Sequence, residues 1–177
     1  MKIALLWAAV PAACVALCLI ARADEPKSDS ASKATKGTFV IQGLHCPPCT
    51  RTVESSLSKT KGIQSAKVDW NTKNVRLTFD ESVISAQGVA QAIAKTPHMM
   101  GGGLRYTGLL ALKVPSLKDD AAGAKVKEAL KTTEGVSQVW TYPQQQSIVV
   151  GFGDKGTLKS QDLIAALAKT GIEATDY

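Results

Sequence analysis

Apolar and polar positions divide the chain into three regimes. Ile3 to Ile20 is almost entirely apolar. Asp24 to Gly37, "DEPKSDSASKATKG", lacks large apolar residues and cannot bury a core, so it predicts a flexible tether. Past Gly37 the apolar positions fall into short periodic runs. Phe39 and Ile41 alternate with polar or smaller residues and predict a strand. Cys49, Val53 and Leu57 stand four apart and predict one face of a helix, with proline ahead of it in a favoured first-turn position. Ala66, Val68 and Trp70 alternate, "NTKN" turns, and Val75, Leu77 and Phe79 alternate again, which is a hairpin pattern. Ser85 is placed to cap a second helix carrying Val89 and Ile93 on one face. A last strand is expected near Leu104 to Thr107, giving the order β-α-β-β-α-β.

The pattern then recurs. "LSKTKGI" at Leu57 to Ile63 returns as "LKTTEGV" at Leu130 to Val136, and in the same register Val53 matches Val126, Val75 matches Ile148 and Phe79 matches Phe152. After one inserted residue, "AIAKT" at Ala92 to Thr96 returns as "ALAKT" at Ala166 to Thr170. Periodic self-similarity of this kind marks a repeated unit. The expected fold class is α+β: two tandem ferredoxin-like βαββαβ sandwiches, each a four-stranded antiparallel sheet with two helices on one face. The expected boundaries are 1–23, 24–37, 38–107 and 108–177.

The first segment combines a basic start at Lys2, an apolar run and the small-x-small triplet Ala21-Arg22-Ala23 before Asp24. That is the pattern of a cleavable secretory signal, with cleavage after Ala23 and a periplasmic or secreted product. A membrane anchor fits less well, because Pro11 interrupts a run only marginally long enough to span. Cleavage would remove Cys14 and Cys18, leaving Cys46 and Cys49 as the two cysteines of the exported chain. A bridge between residues three apart closes too small a loop to staple a fold. The formal charge of the chain is +6, with no Lys/Arg block or aromatic interleaving to suggest nucleic acid.

Two sulfurs three apart, one in a loop and one in the first helical turn, can converge on one ion, and the positive end of a helix favours thiolate. A two-thiolate site suits Cu(I) or Hg(II), with Zn(II) a further candidate that usually wants four ligands. Such a site leaves the ion open to exchange. Cys-Pro-Pro-Cys at a helix start also suits thiol–disulfide exchange, which is the alternative function. Against it, no tryptophan precedes Cys46 and each unit is short for a thioredoxin-like domain. No carboxylate constellation or nucleophile-elbow motif suggests a hydrolase or transferase, so the chain is expected not to be an enzyme. A structural adaptor that binds a partner protein through its second copy is a third reading.

Gly43-Leu44-His45-Cys46-Pro47-Pro48-Cys49 resembles the Gly-Met-x-Cys-x-x-Cys pattern of the heavy-metal-associated domain family. That family includes copper chaperones, the N-terminal segments of metal-transporting P-type ATPases and the periplasmic mercury-binding protein. The resemblance runs from Thr38 to about Thr107. It implies metal binding by Cys46 and Cys49 and a metal-transporting ATPase or other metal acceptor as partner. Leu44 stands where the family has Met, a packing swap of similar volume. Pro47 and Pro48 remove two N–H donors. The second copy has Asp119 and Ala122 at the cysteine positions and so lacks the site. His98, in the loop after the second helix, is a candidate third ligand, with Met99 and Met100 as possible thioether donors. Against those roles, His98 can be a surface residue before "GGG" and the methionines can fill a core gap.

Overall fold

The computed structural model describes residues 34–177. The expected signal segment 1–23 and residues 24–33 of the expected tether lie outside the described residues. The elements run β1 (Ala34–Gln42), α1 (Pro47–Ser58), β2 (Ile63–Asp69), β3 (Asn74–Asp80), α2 (Ala86–Lys95) and β4 (Thr107–Lys113). They continue with α3 (Asp120–Lys131), β5 (Val136–Tyr142), a short 3-10 turn at Pro143–Gln145, β6 (Ser147–Phe152), α4 (Ser160–Ala168) and β7 (Thr175–Asp176). Helix α1 buries Cys49, Val53 and Leu57, and α2 buries Val89 and Ile93 beneath a Ser85 cap whose side chain accepts from the Gly88 N–H. These are the faces the periodicity predicts.

All strand pairs are antiparallel, in the order β2-β3-β1-β4-β6-β5, with β7 also paired to β4. The fold is ferredoxin-like α+β. Strand β4 does two jobs. It pairs with β1 through Thr107 to Ala111, closing the first half, and with β6 through Leu110 to Lys113, opening the second. Residues near Leu104, expected in a strand, instead belong to the loop that leads into β4, and the expected 107/108 boundary falls at the start of this strand. The elements that follow it recur at the sequence spacing, α3 beginning 73 residues after α1 and β5 beginning 73 residues after β2.

Residues Ala34 to Gly37, which polar composition assigned to the tether, form the start of β1, paired with Asp80 to Leu77 of β3. The stretch is held by backbone pairing, and Gly37 lets the Phe79 ring lie against the strand: a Cβ there would meet that ring at 3.1 Å.

Phe39, Leu110 and Val150 lie side by side across β1, β4 and β6. They share one contiguous core with Val53, Ile93, Leu130 and Leu163 from the four helices. Burial of that single apolar layer drives the assembly. The opposite face carries a smaller cluster, Leu109, Ala111 and Val149, with Val40 and Trp140 against it.

Polar contacts also tie the halves. The fully buried Gln87 of α2 donates from Nε2 to the Gly153 and Lys155 carbonyls at 2.7 and 2.8 Å, and its Oε1 accepts from the Leu158 N–H at 3.1 Å. Glu81 accepts through Oε1 from the Ser160 N–H and hydroxyl at the start of α4, where a carboxylate complements the helix dipole.

Because β1 and β4 are antiparallel, the loop after β1 and the loop before β4 meet at one end of the sheet. The β2–β3 turn is there too, since Val40 pairs with Asn74. The loop after β4, which corresponds to the cysteine loop in the second half, lies at the other end.

Candidate metal site

Cys46 is the N-cap of α1, in extended backbone at φ −148° and ψ 148°, and Pro47 and Pro48 fill the first helical positions. Proline suits this place because its φ is already helical and its missing N–H would lack a helical partner anyway. The Cys49 N–H donates to the Cys46 carbonyl at 3.0 Å. The first three helical positions therefore carry no free N–H donor for sulfur. Cys49 is fully buried, Cys46 partly exposed, and the Cα atoms are 5.4 Å apart. The two sulfurs are joined as a disulfide. The backbone thus brings both sulfur atoms to one point, with Cys46 as the accessible one.

Three loops support that point. Leu44 is 2% exposed and packs in the core, as the Met-to-Leu swap implied. Gly43 has φ +90°, and a Cβ there would meet the Arg105 carbonyl oxygen at 2.5 Å, so the cysteine loop can pass close to the chain entering β4 only with glycine at this position. Lys73, in the β2–β3 turn, reaches its Nζ to the Leu44 carbonyl at 3.3 Å and lies 5.2 Å from the Trp70 ring centre. Sequence reading did not single out Lys73 or Tyr106. The β-α-β-β-α-β order puts the hairpin turn at the same end of the sheet as the cysteine loop and would have found Lys73.

His98 stands beside the cysteine loop, where the fold was expected to bring it, but its ring nitrogens are occupied. Nδ1 accepts from the Met100 N–H at 3.2 Å, and Nε2 is 3.0 Å from the Gly43 carbonyl oxygen. An amide can only donate and a carbonyl can only accept, so this network assigns the neutral tautomer with the proton on Nε2. Among the described residues, no group of three His, Cys, Asp or Glu side chains is arranged to hold a metal ion. In this disulfide state His98 braces the loops through its two hydrogen bonds. Its ring lies 4.6 Å from that of Tyr106 and 5.7 Å from that of His45. Tyr106 is buried, and among the described residues its hydroxyl makes no well-formed hydrogen bond; burial raises its pKa.

The core-filling reading of the methionines does not survive. Met99 and Met100 are 56% and 62% exposed, at the two central positions of a turn closed by the Gly101 N–H donating to the His98 carbonyl.

In the second half, Asp119 occupies the N-cap of α3 as Cys46 does in α1, and its carboxylate accepts from the Ala122 N–H at 2.7 Å. Leu117 is fully buried, as Leu44 is. The packing of the loop persists while a helix cap stands where sulfur would be.

The heavy-metal-associated domain model matches residues 38–98. The copper chaperone CopZ of Staphylococcus haemolyticus is 38% identical over 53 residues, which span 30% of this chain and 78% of that protein. The chain belongs to the heavy-metal-associated domain family. The mercuric transport protein periplasmic component of Shigella flexneri is 32% identical over 57 residues, 32% of this chain and 63% of that protein. Among solved structures, the water-soluble region of the P-type ATPase CopA from Bacillus subtilis aligns with 81% of this chain and 91% of its own, at 19% identity and a TM-score of 0.40. Among the described residues, no helix is long and apolar enough to cross a membrane.

Proposed function

We propose that this protein is an exported carrier of a soft metal ion, Cu(I) first and Hg(II) second. It binds the ion through Cys46 and Cys49 in the reduced state and passes it on by ligand exchange. The observation that carries this reading is the convergence of the two sulfurs at a loop held by the β2–β3 turn and the loop before β4, with one sulfur partly exposed for attack by an incoming thiolate. Two soft ligands leave an ion two-coordinate, so a partner thiolate can add to make three before a resident one leaves. The names of the relatives support both ions. The proposed partner is a metal-transporting ATPase or another acceptor with a similar cysteine pair. The role is carriage and not catalysis, and residues 1–23 direct export to the periplasm or beyond.

The disulfide form lacks the thiolates that the ion requires, so the oxidised pair is the resting or blocked state of the carrier. The same closed disulfide is the observation in favour of the alternative, a thiol–disulfide redox protein. The test is transfer. The reduced, Cu(I)-loaded protein is mixed without oxygen with the metal-free N-terminal domain of a copper-transporting ATPase, the two are separated, and copper is measured in each. Copper found in the acceptor, and retention of none by Cys46→Ser, is the expected result. If the wild-type protein carries no Cu(I) or Hg(II) into the mixture, while its disulfide oxidises a reduced protein substrate, the redox reading replaces the carrier.

A further inference from the structure

We propose that the Met99–Met100 turn, together with His45, forms a second soft-ion site that takes up Cu(I) or Ag(I) while the Cys46–Cys49 disulfide is closed. Met99 and Met100 stand side by side at the tip of the turn. These two do not pack in the core and are more than half exposed. What they offer is a pair of polarisable thioether sulfurs, a ligand type that selects soft monovalent ions.

Their placement adds to the argument. The turn is anchored to the cysteine end of the molecule through its own backbone, since the Met100 N–H donates to His98 Nδ1 while His98 Nε2 binds the Gly43 carbonyl. The His45 ring lies 5.7 Å from the His98 ring that anchors the turn. His45 is exposed and makes no hydrogen bond among the described residues, so its imidazole is the one at this end with nitrogens free to ligate. Gly101, Gly102 and Gly103 follow, all with positive φ and with open space where a Cβ would stand. Nothing packs against these three glycines at the Cβ position. The conformation is one glycine adopts freely, so the stretch has the freedom to close over an ion.

The site matters most where the thiolates are unavailable. An exported cysteine pair meets oxidants, and its disulfide cannot bind an ion, whereas thioether and imidazole ligands are unaffected by thiol oxidation state. The proposal shares the soft-ion chemistry of the carrier reading but uses none of its ligands, so the two can fail separately.

The disulfide form of the exported chain, residues 24–177, is titrated with Ag(I), which does not reduce disulfides, and followed by calorimetry and by the methionine methyl NMR signals. Met99 and Met100 are its two methionines, so the spectrum is simple to assign. The expected result is one Ag(I) per chain, with both methyl signals shifted. The Met99→Leu/Met100→Leu variant should weaken binding by about tenfold or more, and His45→Ala by about threefold or more. The same double variant, reduced, should keep its Cu(I) affinity at the thiolates. No Ag(I) binding by the disulfide form, or binding unchanged in the double variant, overturns the site. Binding unchanged in His45→Ala removes His45 from it. Ag(I) uptake by the disulfide form of a protein whose reduced form fails to bind Cu(I) would uphold this site and overturn the carrier reading.

Discussion

At the scale of single residues, the cysteine loop is shaped by groups other than the two sulfurs. Gly43 is required by φ and by the 2.5 Å approach of Arg105, so Gly43→Ala should destabilise the protein by roughly 1–3 kcal/mol in chemical denaturation. The reduced variant should also bind Cu(I) more weakly, because the loop must shift. His98 braces the same loop through Gly43 and Met100. On that basis His98→Ala should change the Cu(I) affinity of the reduced protein by less than about threefold. A loss much larger than this would mean that the ring leaves its hydrogen bonds and ligates. The cysteine pair and Leu44 were legible in the sequence because spacing and hydropathy carry them. The occupied nitrogens of His98 were not, since they depend on a carbonyl 55 residues away and on the path of the turn after α2.

The elements show the same division. Helices α1 and α2 follow from four-residue periodicity and a serine cap, and the β2–β3 hairpin from alternation around "NTKN". Strand β4 could not be placed by pattern alone. Leu109, Leu110, Ala111 and Leu112 form a continuous apolar run because the strand has neighbours on both edges and apolar groups on both faces, which erases the alternation. Its early boundary was missed for that reason. Likewise Ala34 to Gly37 read as tether because pairing in a sheet needs no apolar side chains. The clamp from α2 to the loop before α4 is a long-range contact of the same illegible kind. Gln87→Ala would leave two carbonyls and one N–H of residues 153–158 unpaired, each worth on the order of 1–3 kcal/mol when buried. A loss of at least about 2 kcal/mol in urea denaturation is expected, without change in Cu(I) affinity.

At the scale of the whole molecule, β4 makes the two halves one body. Neither half has a complete sheet without it, and Gln87 and Glu81 cross from the first half to the second. Unfolding should therefore be a single transition. Trp70 reports on the first half and Trp140 on the second, so the variants Trp70→Phe and Trp140→Phe should give coincident urea curves by fluorescence. Separate midpoints would show that the halves unfold independently. The shared strand also sets the cysteine loop and the Asp119 loop at opposite ends, so the second half supports the first through the sheet and core and adds no ligand to the cysteine site. The central claim is that the reduced pair is the ion site. Its most direct test is an oxygen-free titration of the reduced exported chain, residues 24–177, with Cu(I) against a chromophoric chelator, alongside Cys46→Ser. The account predicts that one Cu(I) per chain is withdrawn from the chelator by the wild type and none by the variant. Failure of the wild type to compete, or equal competition by Cys46→Ser, would contradict it.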